Sequence, residues 1–167
     1  MKKHYFFVVL LFVLLSLPAY SQTTKFSLHA NAGTLLKVLD SGIGFHAGIQ
    51  PHYAIWKYFG IDGLFNCSYT IIKAKFISGQ SGHEANINMF LGGRVYFAPP
   101  EHKNRAFVNL LIGPRYHTET LGGTARTPVL ETAGSFGVYY QPSRFLVGAG
   151  IESKGHLFFR FGVNVLQ

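Results

Sequence analysis

The chain has 167 residues, 48% of them apolar, with 19 glycines and a formal net charge of +8, a length that suits one domain and a composition that excludes disorder and coiled coil. Its 15 lysines and arginines are spread singly, without the patch or recognition helix of a nucleic-acid binder, so no nucleic acid is expected as a partner. The single cysteine, Cys67, excludes an internal disulfide.

Lys2 and Lys3 precede an almost wholly apolar run from Phe6 to Leu17, and Ala19-Tyr20-Ser21 supplies the small residues of a cleavage site. Pro18 ends the run short of the about 20 apolar residues that a spanning helix needs. Residues 1–21 therefore read as a cleaved signal peptide and 22–167 as one domain. Loss of Lys2 and Lys3 with the leader lowers the formal charge from +8 to +6.

From Gln22 onward the apolar residues recur with period two, the strand repeat. Segments with this pattern run over Lys25–Gly33, Gly42–Gln50, Phe59–Ile72, Ala85–Phe97, Ala106–Tyr116, Leu130–Tyr140, Phe145–Glu152 and Leu157–Val165. The last is the plainest: Leu157, Phe159, Phe161, Val163 and Val165 share one face, and Arg160, Gly162 and Asn164 the other. Tight turns are expected near Ile55–Tyr58, at Ala98–Asn104 with its Pro99-Pro100 pair, and at Gln141–Arg144. Longer loops are expected at Thr34–Ser41, Lys73–His83, Glu119–Pro128 and Ser153–His156. Eight crossings of about 9 to 11 residues fit this length and sixteen do not. The expected fold is thus all-β: an eight-stranded antiparallel up-and-down transmembrane β-barrel behind a cleaved signal peptide, with short turns and both termini on the periplasmic side.

A soluble lipocalin-like periplasmic carrier would point the same apolar face inward. Two features favour lipid outside. The polar face is rich in Gly, Asn and Ser rather than Lys and Glu, as suits a lumen only wide enough for side chains to fill it. Tyr53, Trp56, Tyr58, Phe59, Tyr96, Phe97, Tyr139, Tyr140 and Phe145 gather at the turn ends, where an aromatic girdle of a membrane barrel belongs; Tyr53, Trp56, Tyr58, Phe97, Tyr140 and Phe145 are its expected members. Charges on the inward face need partners, and strand height pairs Asp62 with Arg94, Arg115 with Glu131 and Glu152 with Arg160 as a lumen network that fills and holds the barrel.

Glycine-rich alternating strands, the Pro99-Pro100 turn and the closing segment Phe158-Phe159-Arg160-Phe161-Gly162-Val163-Asn164-Val165 resemble the small outer-membrane barrel families, such as OmpX and the transmembrane domain of OmpA, and more particularly the outer-membrane β-barrel domain of PorT-like proteins. One departure is the ending Leu166-Gln167, where such barrels often carry a terminal aromatic. The resemblance implies an integral outer-membrane address, contact with outer-membrane lipid and lipopolysaccharide, and handling by the barrel-assembly machinery during biogenesis.

Fold does not fix function. The first reading is a non-enzymatic barrel, its lumen filled and no wide pore, that binds or assembles through its loops, where Lys37, Lys73, Lys75, Arg126 and Lys154 would meet lipopolysaccharide phosphates or a protein partner. The alternative is a lipid A-modifying enzyme, deacylase or acyltransferase. Ser27 and His29 share a strand face, yet they fall in the half away from the outer leaflet and in the opposite order to the His-x-Ser of such deacylases, while His46, His117 and His156 lack a nucleophile at matching height. No two histidines have a tight ligand spacing. No catalytic, cofactor-binding or metal-binding residue is assigned, and no cofactor is expected.

Overall fold

The computed structural model describes residues 26–75, 78–99, 102 and 104–166; the leader expected over 1–21 lies outside them. Alternation of apolar and polar side chains continues along every long strand, because each must present one face to a filled lumen and the other to its surroundings. The strands are β1 (Phe26–Lys37), β2 (Gly42–Trp56), β3 (Phe59–Ile72), β4 (Gly82–Tyr96), β5 (Asn104–Leu121), the two-residue β6 (Thr124–Ala125), β7 (Val129–Pro142), β8 (Phe145–Glu152) and β9 (His156–Leu166). Each long strand pairs antiparallel with the next, β5 with β7, and β9 pairs back onto β1 from Leu28↔Leu166 to Lys37↔His156. Eight long strands therefore close a barrel and leave no open edge between them.

Several strands outrun the segments expected from sequence. β1 continues to Lys37, which shrinks the Thr34–Ser41 loop to a turn, and β5 reaches Leu121, where Gly122 and Gly123 adopt positive φ and turn the chain back into β6. At 18 residues β5 exceeds the about 9 to 11 that cross a bilayer, so its upper part projects beyond the apolar belt. β2 was expected to stop at Gln50, before Pro51. Proline lacks a donor, and the ladder to β3 skips Gln50 and Pro51, then resumes in the same register at His52↔Asp62. Pro114 interrupts the β4–β5 ladder in the same way between Leu91↔Ile112 and Asn88↔Arg115. A missing donor thus costs a local pairing and does not end the strand.

One end of the barrel, here the terminus end, holds Phe26, Leu166 and the connecting residues 57–58, 97–99, 102 and 143–144; the other, the loop end, holds 38–41, 73–75, 78–81, 122–128 and 153–155. The outward face is a belt of large exposed apolar side chains, among them Phe45, Phe65, Met89, Leu91, Leu110, Ile112, Phe136, Phe159 and Phe161. The soluble-carrier alternative needs this face inside, and the structure turns it out. Tyr53, Trp56, Tyr58, Phe97, Tyr140 and Phe145 ring the outside near the terminus end, Trp56 at 71% exposure. Tyr96 and Tyr139 do not join them. Both point inward and are buried, because their strand parity matches the lumen face.

Candidate functional site

The lumen is packed rather than hollow. Arg94, Arg115 and Arg160 are each 0% exposed, and every one lies on the inward parity of its strand. Near the terminus end Asp62 is the acceptor at the centre of a network: its Oδ2 accepts from Arg94 Nε at 2.9 Å, Gln50 Nε2 at 2.9 Å and Asn109 Nδ2 at 3.1 Å, and its Oδ1 faces His52 Nδ1 at 2.8 Å. His52 Nε2 then meets the Tyr96 hydroxyl at 3.2 Å, and that oxygen accepts from Arg94 Nη1 at 2.8 Å. Donors and acceptors match around the ring when His52 donates from Nδ1 and accepts at Nε2. Arg94 also lies 3.9 Å over the centre of the Phe107 ring, in a tier of aromatic rings in which Tyr96 meets Phe107 edge-on, Phe107 stacks on Tyr139, and Tyr139 lies tilted against Phe158. Tyr139 lies against Gly137 and Gly148, where a Cβ would meet its ring.

Further up, Glu152 stands between two arginines, 3.2 Å from Arg115 Nη2 and 3.5 Å from Arg160 Nη2. Here the pairing expected from sequence is corrected. Arg115 and Glu131 are register partners on β5 and β7, yet Arg115 reaches past β7 to Glu152 on β8, donating also to Asn88 Oδ1 and the Ser153 carbonyl. Glu131, nearer the rim, takes Lys154 at 2.9 Å. In a narrow closed barrel inward side chains converge on the axis, so a strand two places away is as reachable as a neighbour.

Lys37 also departs from the loop position expected of it. Its ammonium is no free loop cation: the side chain is 5% exposed and lies 2.6 Å from Glu84 Oε2 and 2.9 Å from Asp40 Oδ2. Glu84, on β4, also receives His156 Nε2 of β9 at 2.5 Å, and so ties β1 and β9 to the far wall. The parity of β1, with His29, Asn31 and Leu35 facing in, carries the signal that places Lys37 inside once the strand is extended to that residue. No sequence signal pairs it with Glu84, three strands away.

Above this hub the loop end opens into a cleft of about 510 Å³. Each of the four outer connections supplies part of its wall: Leu39 and Asp40 from 38–41, Lys75 from 73–81, Arg126 and Thr127 from 122–128, and Lys154 from 153–155. His117 and Glu119 at the top of β5 form the floor, with Lys37 beside them and Val129 at the side. Glu119 accepts from Lys75 at 2.6 Å and lies 3.4 Å from Arg126 Nη1. Lys73 is exposed and, among the described residues, makes no ion pair.

Glu84, His117 and Glu119 bring one possible ligand atom each to within 4.8 Å of one another. The carboxylates are occupied, however, by Lys37 and His156 on Glu84 and by Lys75 and Arg126 on Glu119, and His117 Nδ1 is held 2.7 Å from Asn86 Oδ1. Three cations and the His156 ring nitrogen already occupy the oxygens, so the trio belongs to a polar and ion-pair network rather than to a cation cage. Among the described residues no Ser, Thr or Cys side chain hydrogen-bonds a histidine ring. His29 is fully buried with neither nitrogen bonded, and the Ser153 hydroxyl is spent on the backbone of Gly134.

No protein-family model and no curated protein matches this sequence. Solved structures do. Neisserial surface protein A (NspA) aligns with a TM-score of 0.52 at 15% identity over 86% of this chain and 98% of its own. Ail, the attachment invasion locus protein of Yersinia pestis, solved in complex with the heparin analogue sucrose octasulfate, gives a TM-score of 0.50 at 15% identity over 83% and 94%. Closure of eight long antiparallel strands, with the apolar face outside and the charges inside, gives this chain the fold of the small outer-membrane barrels.

Proposed function

We propose that the chain is an integral outer-membrane protein, exported by its leader and folded by the barrel-assembly machinery, that works through a binding surface at its loop end without conducting solutes or catalysing a reaction. The loop end faces the cell exterior in this reading, since barrels of this kind keep their short turns in the periplasm. The observation that carries it is the lumen: three arginines with no exposed surface cross it and are held by Asp62, Glu152 and Tyr139. Such a plug leaves no water path of ionic width, and binding is left to the rim. Lys73, Arg126 and Lys154 are the exposed cations there that lipopolysaccharide phosphates or a protein partner would meet.

The test joins two measurements. Envelope fractionation with electrophoresis before and after boiling is expected to give a heat-shifted band in the outer membrane. Reconstitution in a planar bilayer is expected to give no stable conductance step. An unshifted band in the soluble periplasm, or steady channels, would overturn the reading.

A further inference from the structure

We infer that the cleft at the loop end is a site for a small sugar bearing phosphate or sulfate esters. The inference rests on the outward orientation proposed above and adds the class of ligand. The rim leaves hydrogen-bonding capacity open on its donors and not on its acceptors. The acceptors at the floor are used: Glu119 has Lys75 on one oxygen and Arg126 on the other, and Glu84 beneath has Lys37 and His156.

The donors are not used up. A guanidinium carries five N–H groups and an ammonium three. Among the described residues, Arg126 spends its side chain only on the loose 3.4 Å contact to Glu119, at 56% exposure, and Lys154 only on Glu131, at 39% exposure. Lys75 has a single partner as well. The Arg126 and Lys154 ends of these contacts are exposed, where ion pairs contribute little, so a ligand can redirect them at little cost. What the cleft offers is therefore positive charge and surplus donors converging from three different loops, the complement of an oxyanion.

Size and walls narrow the class further. The volume of about 510 Å³ falls within the range of about 300 to 1,000 Å³ typical of small-ligand sites, much more than a bare phosphate fills. Leu39 and Val129 give apolar surface beside the cations, as the C–H face of a sugar ring needs, and the Thr127 hydroxyl can meet a ring hydroxyl. Lys154 is placed over the cleft by a left-handed backbone, φ 68, a conformation that costs a non-glycine residue free energy.

The full chain, purified from membranes into phosphatidylcholine nanodiscs and checked for its heat-shifted band, would be titrated calorimetrically with a sulfated disaccharide, the same disaccharide without sulfate, and inorganic sulfate. The sulfated sugar is expected to bind at least tenfold more tightly than either control, and less tightly as salt rises. Arg126→Gln and Lys154→Gln are each expected to weaken it about tenfold, the loss of one charge-assisted contact. Arg144→Gln, exposed at the terminus end and far from the cleft, should leave affinity unchanged. Equal affinity for the unsulfated sugar or for bare sulfate, no binding by a barrel that keeps its heat shift, or indifference to both cleft variants would overturn the ligand class while leaving the membrane reading standing. Repeating the titration in nanodiscs containing lipid A, a phosphate-bearing disaccharide, separates the two sources of this chemistry. Competition identifies the cell's own envelope lipid, and its absence a soluble glycan.

Discussion

Replacing Asp62 by Asn tests whether the lumen network holds the barrel. The side chain is fully buried and accepts from three donors on one oxygen while His52 faces the other. An amide has one oxygen and one NH₂, so either Arg94, Gln50 and Asn109 or His52 must face a donor. The cheaper orientation keeps the oxygen toward Arg94 and lets His52 change tautomer, but then His52 Nε2–H and Arg94 Nη1 both point at the Tyr96 oxygen, whose own proton loses its acceptor. Arg94, with no exposed surface, keeps its charge and loses its counter-charge. Breaking a buried pair in this way costs about 3 to 5 kcal/mol, and the ring contacts of Arg94 with Phe107 and Tyr96 are present with or without the Asp62 charge, so they do not offset it. Urea unfolding in lipid vesicles, read by the heat-shifted band, is expected to show a loss of about 3 kcal/mol for Asp62→Asn. Glu131→Gln breaks only the half-exposed pair with Lys154 and should cost under about 1 kcal/mol. Equal stability of Asp62→Asn and the unchanged protein would refute the claim that Asp62 anchors the plug.

Two further outcomes test the fold. Cys67 is exposed on the outward face of β3, between Ala47 and Ile87 in register, so a membrane-impermeant maleimide should leave it unlabelled in intact membranes and label it once the protein is unfolded in detergent; rapid labelling in intact membranes would mean water, not lipid, covers that face. Gly33 is needed for close approach, since a Cβ there would come within 1.8 Å of the Phe159 carbonyl oxygen, whereas at Gly134 the nearest atom is 3.4 Å away. Gly33→Ala should therefore lose most of the heat-shifted form and Gly134→Ala keep it, as gel densitometry before and after boiling would read.

Much of the architecture is legible along the chain because period two is a local property. Which residues face lipid follows from parity alone, and Leu157 through Val165 show it without help from any other strand. The same rule, carried past Gly33 to the end of β1, puts Lys37 in the lumen, and applied to Tyr96 and Tyr139 it takes them out of the girdle. Strand ends were harder to read. Pro51 resembles a stop in sequence, yet it removes only one donor, and the neighbouring β1 ladder carries the strand through it. Likewise Glu119 reads as the start of a loop, but a barrel wall can continue above the bilayer where polar side chains are free to face in or out.

The partners of the inward charges are a different matter. The sequence by itself determined the strand count, the two faces and the fact that charges must neutralise one another inside. Only closure of the barrel decided that Arg115 meets Glu152 rather than its register neighbour Glu131, that Glu84 gathers Lys37 and His156 from the opposite wall, and that four separate connections share one cleft. Parity is set by adjacent peptide units, whereas distance across a lumen is set by the curvature that eight strands acquire only when the last one pairs with the first.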